Sequence, residues 1–326
     1  MAAIEARGVE VVYADGTEAV RGVDLEIPEG EFFGFLGPNG AGKTTTIKTL
    51  VTLLRPTAGD VTVNGFDVRT EARAVRRSVG YMAQETSVDL ELTARENLRF
   101  ACEAYGVPAG ERDGRIDELL DLVELADVGD RRADSFSGGM RKRLDAATAL
   151  VHRPPIVFLD EPTTGLDPKA RNRLWDYFRE INAAGTTMFL TTQYLEEADR
   201  LCDRLSVILD GRIVASGTPA DLKSRVGGDV LEVQLDDPSP ERVAFASSVA
   251  EASGVFDEAV RETETGLAVT SPEARARATD LLVDLRDAGF TVTGLDVHSP
   301  TLDDVFLALT GAGVPEDALP AEGVAP

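Results

Sequence analysis

The sequence predicts an α/β protein: a parallel, doubly wound sheet followed by a small α+β unit of ferredoxin-like order. Three observations carry this. The strand FFGFL (32–36) runs into a glycine-rich loop and then a helical pattern from Thr44 to about Leu54. Two short apolar strands, IVFLD (156–160) and TTMFLTT (186–192), flank a helical pattern over 169–182. Strands apolar on both faces and separated by helices belong to a parallel sheet covered on both sides. Beyond residue 226 the pattern becomes β-α-β-β-α-β.

In chain order, IEARGVEVVY (4–13) and VDLEIPEG (23–30) read as strands joined by glycine-bearing turns, and GDVTVNGFDV (59–68) as a hairpin-like pair. Residues 89–150 show helical periodicity, as at Ile116, Leu119, Leu120, Leu122 and Val123, and a helical subdomain is expected over about 85–150. The turn GGD (227–229) marks a boundary, so residues 1–225 form the first domain and 226–311 an accessory one. Within the latter we expect a strand at 230–235, a helix at 240–252, strands at 255–262 and 266–271, a helix at 272–288 and a strand at 290–297. The segment TLDDVFLALTG (301–311) closes the folded part, and the Pro-, Ala- and Glu-rich tail 312–326 is expected to be disordered.

Composition narrows the function classes. The 326 residues carry 33 Lys+Arg against 57 Asp+Glu, a net charge of −24, of which −15 falls in residues 226–326. Such a surface repels phosphate backbones, so nucleic acid is not an expected partner. Cys102, Cys202, His152 and His298 are isolated, which excludes zinc and iron–sulfur sites and a disulfide framework. There is no apolar run of membrane-spanning length and no secretory leader pattern. The expectation is a soluble, cytoplasmic chain; any membrane role requires another subunit.

The chemistry concentrates in three segments. GPNGAGKTT (37–45) is a G-x-x-x-x-G-K-[ST] loop between a strand and a helix. Gly37, Gly40 and Gly42 let backbone N–H groups turn toward phosphate oxygens, Lys43 reaches the β- and γ-phosphates, and the Thr44 hydroxyl binds Mg²⁺. PIVFLDEP (155–162) delivers Asp160 and Glu161 at the carboxyl end of a buried strand, where ligands of open α/β sheets bind. Asp160 is placed to hold Mg²⁺ and Glu161 to act as general base toward water. In DSFSGGMRKRLDAATAL (134–150), Ser137, Gly138 and Gly139 open a helix whose N–H groups suit a second phosphate. A second anion site on a chain that already has one points to a ligand shared between subunits.

With these motifs in order over about residues 3–225, the chain resembles the ATP-binding subunits of ABC transporters. The resemblance implies a head-to-tail homodimer trapping two ATPs. Gly37, Pro38, Asn39, Gly40, Ala41, Gly42, Lys43, Thr44 and Thr45 would bind ATP, with Ser137 and Gly139 of the other subunit on the γ-phosphate and Tyr13 stacked on adenine. Gln84 of GYMAQE would sense Mg²⁺ and the γ-phosphate. Residues 85–105 would receive a helix of the membrane subunit, and Asp167 of TTGLDP would cross between monomers. Met140 replaces a usual glutamine.

Gln193 stands where the family usually has a switch histidine; its amide can donate to phosphate and accept from water. LTTQYLEEAD (190–199), the acidic extension and LDDVFLALTG (302–311) resemble the daunorubicin/doxorubicin-resistance type. The implied function is an ATPase subunit, bound to the inner face of the membrane through a separate permease, that couples dimer closure to export of a hydrophobic or drug-like compound. A soluble ATP-driven switch is the alternative. Repair members need long insertions and ribosome-associated members two ATPase domains, and neither is visible here. A slow regulatory module rests on Gln193 alone, and retention of Glu161 weighs against it.

Overall fold

Strands β1 (Ala2–Val12) and β2 (Glu18–Pro28) pair antiparallel, and β1 pairs on its other edge with β4 (Ala58–Val63), which carries the short β5 (Phe66–Asp67). The structure, a computed structural model, describes residues 2–225, 227–256 and 260–309. A second sheet has the order β10-β9-β3-β8-β7-β6: β3 (Phe32–Leu36), β6 (Val79–Met82), β7 (Ile156–Asp160), β8 (Thr187–Thr192) and β9 (Arg204–Leu209) run parallel, and β10 (Arg212–Gly217) closes the edge antiparallel to β9. The expected parallel sheet is present, but one face is covered differently from a doubly wound fold. There the antiparallel sheet and helix α1 (Lys43–Leu50) share one apolar core with it, including Val9, Ile27, Phe35, Ile47, Val61 and Phe158.

Helix α1 stops short of Leu54 because Thr52 turns left-handed at φ 65° and the Leu53 and Leu54 amides fold back onto the Lys48 carbonyl. Helix α2 (Ala72–Ser78) leads into β6. The helical region holds α3 (Ala94–Ala104), α4 (Arg112–Leu122) and α5 (Gly138–Ala149). α3 starts with a reciprocal cap, in which the Thr93 hydroxyl accepts from the Glu96 amide and Glu96 answers on the Thr93 amide. Helices α6 (Pro168–Ala183) and α7 (Leu195–Leu201) bracket β8 in sequence.

Every residue of β3, β7 and β8 is buried. Phe33, Phe35 and Phe158 surround Phe189 with ring centroids 5.5, 5.8 and 5.5 Å away. This aromatic cluster fixes the register: Leu36 lies opposite Thr192, and Asp160 opposite Thr191. Parallel strands in that register bring the glycine loop, Glu161 and Gln193 to one edge.

The chain divides into two compact units at Thr218/Pro219. The sequence expectation set the boundary after residue 225. Helix α8 (Pro219–Ser224) packs with α11 (Leu302–Leu309), so it belongs with the second unit, and the turn at 227–229 instead opens β11 (Asp229–Leu235). The second unit continues with α9 (Pro240–Ser253), β12 (Val260–Glu262), β13 (Gly266–Ser271), α10 (Ala274–Asp287) and β14 (Val292–His298). Its antiparallel sheet, ordered β12-β13-β11-β14, is the split βαβ arrangement, packed around Leu231, Val233, Leu267, Val269, Leu281 and Phe290. Of the strand expected at 255–262, only 260–262 is strand; residues 257–259 and the tail expected to be disordered lie outside the described residues.

In the first unit, His152 stacks on Tyr105 (centroids 4.0 Å, 5° between planes) and its Nε2 lies 3.1 Å from the Val79 carbonyl. Burial pushes its pKa down to about 4 from an ordinary value of about 6.5. Between those values the unfolded chain binds this proton and the folded chain does not, so stability falls as pH drops through that window and is unaffected by this group above it. We expect His152→Phe to flatten the decrease in urea midpoint between pH 7 and pH 4.5 relative to wild type. An equal decrease would show that other groups cause it.

Candidate functional site

The site forms where three loops meet the carboxyl ends of β3, β7 and β8. Residues 37–42 form the first loop. The Gly37 amide donates to the Thr192 carbonyl (3.3 Å), and the Ala41 carbonyl accepts from Gly211 (3.1 Å), which pins the loop to two neighbouring segments. Two positions are constrained: a Cβ on Gly37 would sit 2.4 Å from the Ile208 carbonyl oxygen, and Gly42, at φ 106°, would place one 2.3 Å from the Ala19 carbonyl oxygen. Pro38, Asn39 and Gly40 are exposed. Helix α1 begins at Lys43 with no side chain capping it, so its first-turn N–H groups are offered to an anion. A loop that only glycine can trace, ahead of an uncapped helix, fits a polyphosphate.

Lys43 is buried within this loop (4% exposed). Its Nζ donates to the Gly37 (2.8 Å) and Pro38 (3.0 Å) carbonyls and pairs with Glu161 Oε1 at 3.2 Å. Glu161, 5% exposed, follows β7 with a left-handed backbone, φ 49°, a conformation that costs a non-glycine residue about 1–3 kcal/mol unless its surroundings hold it. They do: its amide donates to the Thr191 carbonyl at 3.0 Å, and its second oxygen accepts from Gln84 Nε2 at 3.1 Å.

Asp160 is buried one residue earlier and accepts on one oxygen from Thr44 Oγ1 (3.1 Å) and Thr191 Oγ1 (2.6 Å). Burial pushes its carboxyl above the usual range, the two hydroxyls oppose that shift, and the neighbouring Glu161 adds to it. Tyr81 of β6 lies beside Asp160, and its phenol is pushed up by burial and by that carboxylate. Thr44 and Asp160 together present hard oxygen ligands at the mouth of the loop, a donor set that fits Mg²⁺ held jointly with phosphate.

Gln193 is half-buried at the end of β8, and among the described residues its side-chain amide makes no hydrogen bond. The exposed Tyr13 sends its hydroxyl to Thr45 Oγ1 (3.0 Å). Ser137 caps α5 by accepting from the Met140 amide (3.3 Å), and Asp167 caps α6 by accepting from Ala170 (3.0 Å). These two caps adjoin: a Cβ on Gly139 would meet Ala170 Cβ at 2.9 Å. Gly138 is exposed beside them. Among the described residues no hydrogen bond joins Ser137–Gly139 or Asp167 to residues 37–45.

Three groups of the site escape sequence reasoning. Thr191 supports Asp160, and a polar residue ending a buried strand was a usable signal. Lys142 Nζ donates to the Gln84 carbonyl (2.6 Å), and the buried Asp145 accepts from the Ser87 amide (3.1 Å) and hydroxyl, so α5 holds the Gln84 loop from below. An acid on the apolar side of a helix was the signal for Asp145.

Compared with known families, residues 20–164 match the one described as ABC transporter, and residues 217–310 the one described as ATP-binding protein DrrA1-3-like, C-terminal domain. The daunorubicin/doxorubicin resistance ATP-binding protein DrrA of Streptomyces peucetius is 44% identical over 309 residues, 95% of this chain and 92% of that one. The Nod factor export ATP-binding protein I of Burkholderia lata is 41% identical over 317 residues, covering 95% and 98%. Among solved structures, the dimeric post-hydrolysis ATP-binding cassette MJ0796 bound to ADP and Pi superposes with a TM-score of 0.61 at 28% identity, covering 66% of this chain and 98% of that one.

Gly42→Ala tests the loop. The strained backbone and the clash with Ala19 displace the first amides of α1. Since hydrogen bonds to charged groups contribute about 1.5–3 kcal/mol each, nucleotide affinity should fall at least about tenfold. Titration with a fluorescent ATP analogue measures it; wild-type affinity would show that the loop tolerates a side chain.

Proposed function

The chain belongs to the ABC transporter ATP-binding proteins, and from that premise we propose the assembly and chemistry through which it drives export. It is the ATP-binding and ATP-hydrolysing subunit of a drug exporter. Among the described residues no helix is long and apolar enough to cross a membrane. The compound therefore passes through a separate permease, to which this subunit docks from the cytoplasmic side. The compound is hydrophobic or drug-like. Relatives named for daunorubicin/doxorubicin resistance and for Nod factor export match 95% of this chain, so its ATPase machinery is compatible with different cargoes.

The observation that carries the reading is the split of phosphate-binding groups. Residues 37–45 with Lys43, Asp160 and Glu161 make one half of a site. Ser137–Gly139 with Asp167 make another, side by side and without hydrogen bonds to the first. Two copies packed head to tail join unlike halves into two complete sites. The solved MJ0796 cassette is a dimer, which supports the same arrangement here.

ATP would bind with its β- and γ-phosphates on residues 37–45 and its adenine against the exposed Tyr13 ring. Phosphate oxygens compete with Glu161 for Lys43, so substrate binding itself releases the carboxylate to accept a proton from water. Gln193 then orients that water against the γ-phosphate, and Ser137 with Gly139 of the second copy donate to the same phosphate. Mg²⁺, held by Thr44 and Asp160 with Gln84 within reach, would supply charge neutralisation for the transferring phosphoryl group. The protein's contribution is positioning and electrostatics.

Glu161→Gln should keep ATP affinity, lower hydrolysis by about 10²–10⁴-fold and accumulate an ATP-bound dimer seen by size-exclusion chromatography; a wild-type rate would remove Glu161 from the role of base. Gln193→Ala should lower kcat by about 10- to 100-fold, the effect of one hydrogen bond to a charged group, with less change in ATP affinity, and an unchanged kcat would exclude it from catalysis. The coupling itself is tested by hydrolysis of the chain co-purified with its permease, across a panel of lipophilic amphiphiles with Glu161→Gln as blank. Stimulation by particular compounds is expected; turnover indifferent to the whole panel would discard the drug-like cargo.

A further inference from the structure

Glu197 has no place in the chemistry above, yet it is 0% exposed in the first turn of α7. One of its oxygens, Oε1, accepts two hydrogen bonds, from Thr163 Oγ1 at 2.9 Å and from Trp175 Nε1 at 2.8 Å. The other, Oε2, is buried with no hydrogen-bond partner. Its donors come from the segments that carry the working residues. Thr163 lies two residues past Glu161. Trp175 lies two turns along α6 from Asp167, the cap that faces the second copy. The Thr192 hydroxyl, immediately before Gln193, lies close enough to stabilise the charged form of Glu197 and accepts from the Tyr194 amide at 2.9 Å, just ahead of α7.

Around this carboxyl the contacts are tight. Trp175 is itself fully buried, with the Arg171 and Arg200 guanidinium groups 5.2 and 5.1 Å from its ring centroid. Arg171 also pairs with Glu196 at 3.0 Å, so α6 and α7 are fastened on both sides of the Glu197 bond. A buried carboxyl with one oxygen doubly bonded and one bare is costly for stability alone, and an apolar residue of the same size would fill the space as well. Burial raises its pKa, and a side chain with one carbonyl acceptor meets both hydrogen bonds to Oε1.

We propose that Glu197 is a positioning residue for ATP hydrolysis: its Oε1 ties the segment after Glu161 and α6, which starts at Asp167, to the segment bearing Gln193. A shift of the 163–168 loop when two copies close is thereby passed to the base and to the glutamine together. The inference rests on the roles given above to Glu161 and Gln193. Preorganisation of this kind acts on kcat, because ATP binding depends on residues 37–45, which Glu197 does not touch.

The test compares three variants with wild type and with Glu161→Gln in the permease-bound complex, reading kcat, KM for ATP and binding of a fluorescent ATP analogue. Glu197→Met keeps the volume and removes the acceptor; kcat should fall about 10- to 100-fold, as for a small misplacement of reacting groups, with KM and nucleotide affinity unchanged. Glu197→Gln keeps one carbonyl oxygen and should restore kcat to within about threefold of wild type, about 0.7 kcal/mol in barrier. Thr163→Val keeps the side-chain shape and removes only the Oγ1 donor to Glu197, should lower kcat in the same direction as Glu197→Met with KM unchanged, and decides the matter if the Glu197 variants do not fold. Wild-type kcat in Glu197→Met, a kcat in Glu197→Gln as low as in Glu197→Met, or a loss of kcat matched by loss of nucleotide binding would each overturn the proposal. Wild-type hydrolysis by Glu161→Gln would instead overturn the reading of the site, and the two failures are therefore distinguishable.

Discussion

Two adjacent carboxylates, Asp160 and Glu161, are buried at the end of one strand, and the loops around them are arranged by what that burial demands. Taking a carboxylate out of water costs several kcal/mol unless partners replace its hydration. Here the partners come from separate parts of the chain: Thr44 and Lys43 from the glycine loop and α1, Thr191 from β8, Gln84 from the segment after β6. Each compensating bond adds to the backbone and side-chain bonds that already hold these loops. The first-turn amides of α1 have no side-chain cap because the residue at the cap position is Gly42, so the same loop that supplies partners to the acids also offers free amides to an anion.

The Gln84 segment shows how such a constraint spreads. Its side chain meets Glu161, its carbonyl accepts from Lys142, and three residues on, Ser87 donates to the buried Asp145. Burial raises the Asp145 carboxyl and lowers Lys142, so both groups sit where only specific partners justify them. Helix α5, which begins at the Ser137 cap, is thus joined to the loop that touches the Glu161 carboxylate. The bonding of Glu161 is linked in this way, through Gln84 and Lys142, to helix α5.

The second unit follows a different logic. Its core is aliphatic around Leu231, Val233, Leu267 and Leu281, with Phe290 at one end. Its excess of acid lies mostly outside that core, in ion pairs such as Arg275–Asp229 (2.6 Å) and on open surface. Among the described residues the one acid drawn inward, Asp304, accepts from Thr301 at the start of α11 and pairs with Arg261 at 3.7 Å. Long-range repulsion of polyanions is the direct consequence of such a surface.

By itself the sequence determined whatever depends on neighbours along the chain. The 37–45 loop, the acids at 160 and 161 and the Ser137 cap were legible because a turn, a strand end and a helix start are each set by a few consecutive residues. The β-α-β-β-α-β order was legible for the same reason. Strands β9 and β10 were not, since the short run of β9 acquires meaning only beside β3 and that of β10 only beside β9, and the boundary slid to the turn at 227 because the packing of α8 on α11 joins residues some 80 apart in sequence. Only the tertiary structure decided what Thr191, Asp145 and Glu197 bond to: a polar strand end or an acid on an apolar helix face can be flagged locally, but each partner lies 30 or more residues away, or across two helices, and local spacing carries no trace of the pairing. It decided too how the face of the parallel sheet is covered, because the match between an apolar face and an antiparallel sheet or a helix is a property of the assembled core.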